Sequence, residues 1–167
     1  MGAETGAVQP CVGFEDVLGI QATRVLLGEA GEHLVLANLL RRGYVASQAP
    51  RAWKADDILV QGGPRLQVKA TVGGVKYGWV VGHVDADEDR FYALVDFKDG
   101  SAPVCYVVPS QTVRRAAELN HGLWMRTHPT SQSPILKVQD PFRQDVEGFP
   151  PGWLVEFREA WGSIPLR

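Results

Sequence analysis

In the stretch DDILVQGGPRLQVKA (residues 56–70) an acid, a glutamine and a lysine punctuate apolar strands: Asp57, Gln67 and Lys69, at intervals of 10 and 2. A hairpin that only filled a core would have no use for a carboxylate, a carboxamide and an ammonium, because polar groups buried without partners cost free energy. The same groups suit hydrolysis of a phosphodiester. That reaction draws on a hard cation that polarises the phosphate and lowers the pKa of a water. Mg²⁺ takes oxygen ligands and keeps several of its waters, and Mn²⁺ accepts similar donors. Asp57 offers an anionic oxygen, while the Gln67 carboxamide and the Val68 backbone carbonyl offer neutral ones. Lys69 is spaced to orient the water and to offset charge that develops on the phosphate.

Joint action of the three depends on the turn between them. With Gly62, Gly63 and Pro64 as a three-residue loop, Gln61 pairs with Arg65, Leu59 with Gln67 and Asp57 with Lys69. Alternation along the strands then puts Asp57, Gln67 and Lys69 on one face and Ile58, Val60, Val68 and Ala70 on the other. A two-residue loop would shift the register by one and scatter the trio. A fourth candidate lies upstream, where Glu32 precedes Val35, Leu36 and Leu39 at the spacing of one apolar helical stripe. A carboxylate on that stripe needs a partner at the core or its rim, where it could hold a metal-bound water. The plainer reading is a glutamate at a helix start, favoured by the positive end of the dipole.

In this order, GEHLVLANLLRRGY, DDILV and LQVKAT resemble the opening of PD-(D/E)XK (restriction-endonuclease-like) nucleases, including small Holliday-junction resolvases. The matching positions are Glu32, Asp57, Gln67 and Lys69, within about residues 28–71. The resemblance implies a mixed central β-sheet flanked by helices, an α/β fold. It also implies Mg²⁺-dependent cleavage of DNA, with a homodimer suited to cutting both strands of a duplex. Two departures stand out. Asp56 replaces the proline before the aspartate, and Gln67 replaces the commoner glutamate, which removes a negative charge from the cation site. The alternative is therefore a nuclease-fold protein that no longer cuts and serves as a DNA-binding or protein-interaction subunit. A third reading is an unrelated α/β domain that carries the motif by chance.

The elements expected to position these groups follow from periodicity and turn residues. A helical pattern runs from Phe14 to Arg42, with a break at Gly28–Gly31, a second helix over Glu32–Arg42 and Gly43 as its C′ residue. Strands are expected at Tyr44–Ala49, Asp57–Gln61, Arg65–Thr71, Trp79–Val81, Arg90–Phe97 and Val104–Val108, with a turn at 98–101. Ser110 reads as the N-cap of a helix to about Leu119. The five prolines of 127–152 predict a long irregular connection. Leu154–Trp161 reads as a closing helix, and residues 1–13 as loosely ordered.

A length of 167 residues suits one domain, and 45% apolar with 22% charged residues is ordinary globular composition. No apolar run reaches the ~20 residues of a membrane helix, and the N-terminus lacks the pattern of a signal peptide. A cytoplasmic location is the default expectation. The net charge of -2 hides a basic block: residues 41–76 hold seven cations against Asp56 and Asp57, a balance of +5. Arg41, Arg42, Arg51, Lys54 and Arg65 are thus candidate phosphate contacts, and Trp53 lies in the loop where DNA would pass. A solvated surface explains the same charges.

Other clusters read as structural. VDADEDR (84–90) lacks the glycine and closing glutamate of a calcium loop and reads as a solvated turn. His121 and His128 have no cysteine nearby for zinc, and His33 reads as exposed. Cys105, inside an apolar run, reads as a reduced core thiol. No phosphate-binding loop or serine elbow is present. Trp79, Trp124, Trp153 and Trp161 read as core and boundary residues.

Overall fold

The strongest strand signals build the centre of the molecule. RFYALVD forms β5 (Arg90–Asp96) and VCYVVP forms β6 (Val104–Pro109), paired antiparallel from Phe91 opposite Pro109 to Asp96 opposite Val104. In this computed structural model the described residues are 20–53, 55–98, 102–131, 136–142 and 146–165. The expectations for 1–13, for the helix start at Phe14, for turn residues 99–101 and for Lys54 lie outside them.

The remaining strands extend the sheet on one side. β1 (Ala46–Gln48), β2 (Ile58–Val60) and β3 (Arg65–Thr71) pair antiparallel in series, and β3 runs parallel to β5. The order is β1-β2-β3-β5-β6, a mixed sheet. A short helix α2 (Gly74–Tyr77) and β4 (Trp79–Val80) lie in the β3–β5 crossover. β4 pairs with β7 (Lys137–Val138) inside the segment expected to be irregular throughout.

Two helices cover the two faces. α1 (Ile20–Leu40) lies over Ile58, Val60, Leu66, Val68, Ala93 and Val95. α3 (Ser110–Thr127) lies over Tyr92, Leu94, Tyr106 and Val108, together with Trp79, Trp153 and Leu154. Among the described residues no helix is long and apolar enough to cross a membrane.

α1 continues through Gly28 and Gly31, contrary to the expected break. The reason is packing. A Cβ on Gly31 would stand 2.8 Å from the Ala70 Cβ and 3.4 Å from the Val68 Cγ1, so the missing side chain lets α1 settle onto β3. α1 ends as expected at Gly43, whose φ of 86° allows the Tyr44 N–H to reach back to the Leu39 carbonyl.

Ser110 does not cap α3, because it is the first helical residue and is fully buried. Its hydroxyl donates to the Asp87 carbonyl and accepts from the Asp87 N–H. α3 also runs past Leu119 to Thr127, tied near its end by the Asn120 side chain donating to the Lys137 carbonyl. The closing helix is instead two 3₁₀ turns, Trp153–Phe157 and Trp161–Ser163. Asp140 accepts from the Gly152 and Leu154 N–H groups and so secures the first turn. Tyr44 donates from its hydroxyl to the Trp161 and Ile164 carbonyls and secures the second.

Candidate functional site

The β2–β3 hairpin does not close on the expected loop. Ile58 pairs with Leu66 and Leu59 with Arg65, and the Val60 N–H donates to the Pro64 carbonyl. The loop residues are therefore Gln61, Gly62 and Gly63, with Gly62 and Gly63 at φ 96° and 115°. Pro64 fits the strand side because the bond it closes uses its carbonyl and needs no N–H. The pairing slides by an even step, so parity survives. Asp57, Gln67 and Lys69 share a face, but Asp57 lies across from Gln67 rather than Lys69, and Leu59 across from Arg65 rather than Gln67.

Asp57 sits where β2 and β3 part. Its N–H donates to the Leu66 carbonyl and its carbonyl accepts from the Ala49 N–H, which clamps its backbone between two neighbours. Its Oδ2 accepts from the Val68 N–H at 2.6 Å. The N–H and C=O of a strand residue point the same way, so the Val68 carbonyl lies on that same edge. Burial raises the Asp57 carboxyl above its ordinary value, against the hydrogen bond from Val68 and the Lys69 charge, which lower it.

Glu32 reaches this edge from the other face of the sheet. It lies well inside α1, so the helix dipole does not account for it; Gly31, Val35 and Leu39 form the buried stripe, and Glu32 flanks it half-buried. Burial raises its carboxyl, and the Asp57 charge adds to the rise. The Gln48 side chain on β1 donates to Glu32 Oε2 at 3.4 Å. Close contact at Gly31 and the β1–β2 pairing of Gln48 with Ile58 thus bring α1, β1, β2 and β3 to one point.

The two adjacent aspartates divide into different roles. Asp56 is 5% exposed and receives the Arg90 Nε at 2.9 Å, with Arg65 Nη1 3.9 Å away. Arg90, itself 8% exposed, also donates to the Asp85 carbonyl. Arg65 binds Asp87 at 2.5 Å. The acidic run is therefore no mere solvated turn, since it folds over the starts of β3 and β5, where Asp87 pairs with Arg65 and the Asp85 carbonyl accepts from Arg90. Asp57 is left as the carboxylate of this pair that faces the strand edge.

The candidate phosphate contacts fare unequally. Arg51 and Trp53 (52% exposed) lie in the turn that leads into Asp57. Arg41 and Arg42 stand at the far end of α1, roughly 13 Å along the axis from Glu32. Arg42 is held there by Asn38, by Glu159 at 3.5 Å and by the Trp161 ring. Arg65 is on the same face as Gln67, with its charge already met by Asp87.

Among the described residues no three His, Cys, Asp or Glu side chains stand together as metal ligands. The oxygen donors at the strand edge are the Asp57 carboxylate and the Val68 carbonyl, with Gln67 on the face across from Asp57 and Glu32 behind them. Burial raises both carboxyls, and the Asp57 charge adds to the rise at Glu32; a hard cation that keeps most of its waters would suit such oxygen donors. Tyr92, paired with Gln67 across β3–β5, is fully buried and pushed up to about 12, so it holds its proton. Cys105 is likewise pushed up to about 12 by burial and is an inert core thiol.

Sequence reasoning missed Gln48, the Arg90 partner of Asp56 and the packing role of Gly31. Only the excess of acids before β5 hinted at the second. No family model matches this chain, and no curated protein matches it.

Proposed function

We propose that this chain is a metal-dependent endonuclease of the PD-(D/E)XK, restriction-endonuclease-like kind that hydrolyses DNA phosphodiester bonds. The observation that carries the reading is Asp57: a half-buried carboxylate at the parting of two strands, bonded to the Val68 N–H, within the field of Lys69 and Glu32. A residue placed only for packing would gain nothing from a carboxylate at that point.

Asp57, the Gln67 carboxamide oxygen and the Val68 carbonyl are the groups that would hold a cation, with Glu32 placed to act through a water. When bound, Mg²⁺ or Mn²⁺ would supply polarisation of the phosphate and a lowered pKa for a water. Lys69 would orient the attacking water and offset charge growing on the phosphate oxygens. Gln48 holds Glu32 Oε2 from the neighbouring strand. Arg51 and Trp53 border the path of the DNA backbone.

The test is Mg²⁺- or Mn²⁺-dependent cleavage of linear, nicked and branched DNA by wild type, Asp57→Ala and Lys69→Ala. Cleavage disappears with Asp57→Ala and falls about 10²–10³-fold with Lys69→Ala. Undiminished cleavage by both variants sinks the site. Gln67 supports a second reading, a DNA-binding or protein-interaction subunit that no longer cuts, because a neutral middle residue leaves one direct carboxylate. Salt-sensitive DNA binding without cleavage by wild type selects that reading.

A further inference from the structure

α1 turns a second stripe toward the β6 edge of the sheet. Leu34, Ala37, Asn38 and Arg41 follow one another at intervals of 3, 1 and 3, so they share one helical face. With Pro103 and Val104 at the start of β6, and with Arg158 and Glu159 after the first 3₁₀ turn, they line an open hollow of about 480 Å³. Small-molecule sites occupy about 300–1,000 Å³. Ala37, in the middle of the stripe, contributes only a methyl group and leaves the space unfilled.

The polar lining divides into groups already engaged and groups that are not. Glu159, at φ 53°, donates its N–H to the Cys105 carbonyl and accepts the Cys105 N–H on Oε1 at 3.0 Å. Its other oxygen takes the Trp161 indole N–H and stands 3.5 Å from Arg42. Cys105 therefore offers no open backbone to an added peptide strand. The Asn38 side chain donates to the Leu34 carbonyl and accepts from Arg42. Among the described residues the arginine ion pairs belong to Arg42, Arg65, Arg90 and Arg114, and neither Arg41 nor Arg158 has one. Two guanidiniums without a carboxylate partner among those residues thus border one hollow, whose walls at Leu34, Ala37, Pro103 and Val104 are apolar.

We propose that this hollow binds a small amphipathic anion, with a carboxylate or phosphate head between Arg41 and Arg158 and a short apolar body against Leu34, Ala37 and Pro103. Guanidiniums present forked donors that match either head. The two like charges repel each other until an anion lies between them. Both arginines are exposed, so the head keeps part of its hydration and avoids full desolvation. The apolar body is needed as well, because an exposed ion pair alone contributes little. The sheet order β1-β2-β3-β5-β6 sets this hollow three strands along from β2 and Asp57, and the inference stands whether or not the chain cuts DNA.

Amide NMR titration of the full chain with hexanoate and with hexyl phosphate tests this, while hexanol and inorganic phosphate each supply one half of such a ligand. An amphipathic anion produces saturable shifts at Leu34, Ala37, Val104 and Arg158, and the tighter of the two identifies the head group. Hexanol and inorganic phosphate bind at least about 10-fold more weakly. Arg41→Gln and Arg158→Gln each weaken the anion about 10-fold. Ala37→Trp, which fills the hollow from an exposed position, abolishes binding while a thermal midpoint close to wild type shows that the fold is kept. Hexanoate and hexyl phosphate that both leave those amides unmoved overturn the proposal, as does binding of wild-type strength by the chain carrying both arginine substitutions. Inorganic phosphate that binds as tightly as hexyl phosphate overturns it too, because the apolar walls then contribute nothing.

Discussion

The two halves of the central sheet are made by the same backbone ladder and meet different surroundings. In β5 every residue is buried, and β6 is buried to its last residue, because α1 covers one face and α3 with Trp79 and Trp153 covers the other. Among the described residues only the α1 face of β2 and β3 is covered, and buried residues alternate with half-buried ones. Asp57, Gln67 and Lys69 all belong to the uncovered face. A sheet with one missing cover offers polar side chains a rigid floor without full desolvation, so carboxylates and a lysine can be fixed in place and still meet solvent.

The largest test of this contrast exchanges stability against activity. Leu94→Ala, in the doubly covered half, costs about 2–5 kcal/mol of folding stability. Lys69→Ala, one strand away and paired with Leu94, changes stability by less than ~0.5 kcal/mol. Urea denaturation measures both. A Lys69→Ala loss as large as that of Leu94→Ala breaks the contrast.

Next comes the seam that joins the two faces. Gly31→Ala forces α1 off Ala70 and costs about 1–3 kcal/mol as an overpacking change. It also moves Glu32 away from Asp57, so cleavage falls with it, whereas Gly28→Ala meets no atom within 4 Å and leaves cleavage unchanged. Equal behaviour of the two variants removes the packing explanation.

A smaller effect sharpens the question of the middle residue. Gln67→Glu places a second carboxylate across from Asp57, and like charges facing each other across a strand pair cost about 0.2–1 kcal/mol. The thermal midpoint falls in EDTA and recovers with Mg²⁺ by more than that of wild type. A midpoint indifferent to Mg²⁺ in both proteins argues against a cation at this edge.

The smallest effect is that of pH. Asp57 and Glu32 are both raised in the folded state, so folding takes up protons between their unfolded and folded pKa values. Stability therefore falls as pH rises through that acidic window and stays lower at neutral pH. Asp57→Asn removes its share: the variant melts above wild type at pH 7, and the difference shrinks below the ordinary aspartate value of 3.8. Thermal melts across pH 3–7 read the sign, and an Asp57→Asn midpoint below wild type at pH 7 reverses it.

The parts legible in the sequence were those set by local pattern. β3 at Arg65–Thr71, the apolar runs of β5 and β6, Gly43 as the end of α1 and the burial of Ile58, Val60 and Val68 all follow from period, branched side chains and turn residues. The shared face of Asp57, Gln67 and Lys69 was also legible, since it depends only on parity. The loop residues were not, because several three-residue turns satisfy GGP and the choice belongs to pairing along the whole ladder. The break at Gly28–Gly31 was misread because helix propensity is weak beside contact: a glycine inside a helix is a defect alone and a fitting surface against Ala70.

The sequence by itself determined which side chains alternate to which face, and with them the trio that could do chemistry. Only the tertiary structure decided that Asp56 goes to Arg90 while Asp57 faces the strand edge, that Arg65 is spent on Asp87, and that Glu32 and Gln48 arrive beside Asp57. Those partners lie 16 to 34 residues apart along the chain. Periodicity places a side chain on a face, but the charge opposite it is chosen by which elements pack together.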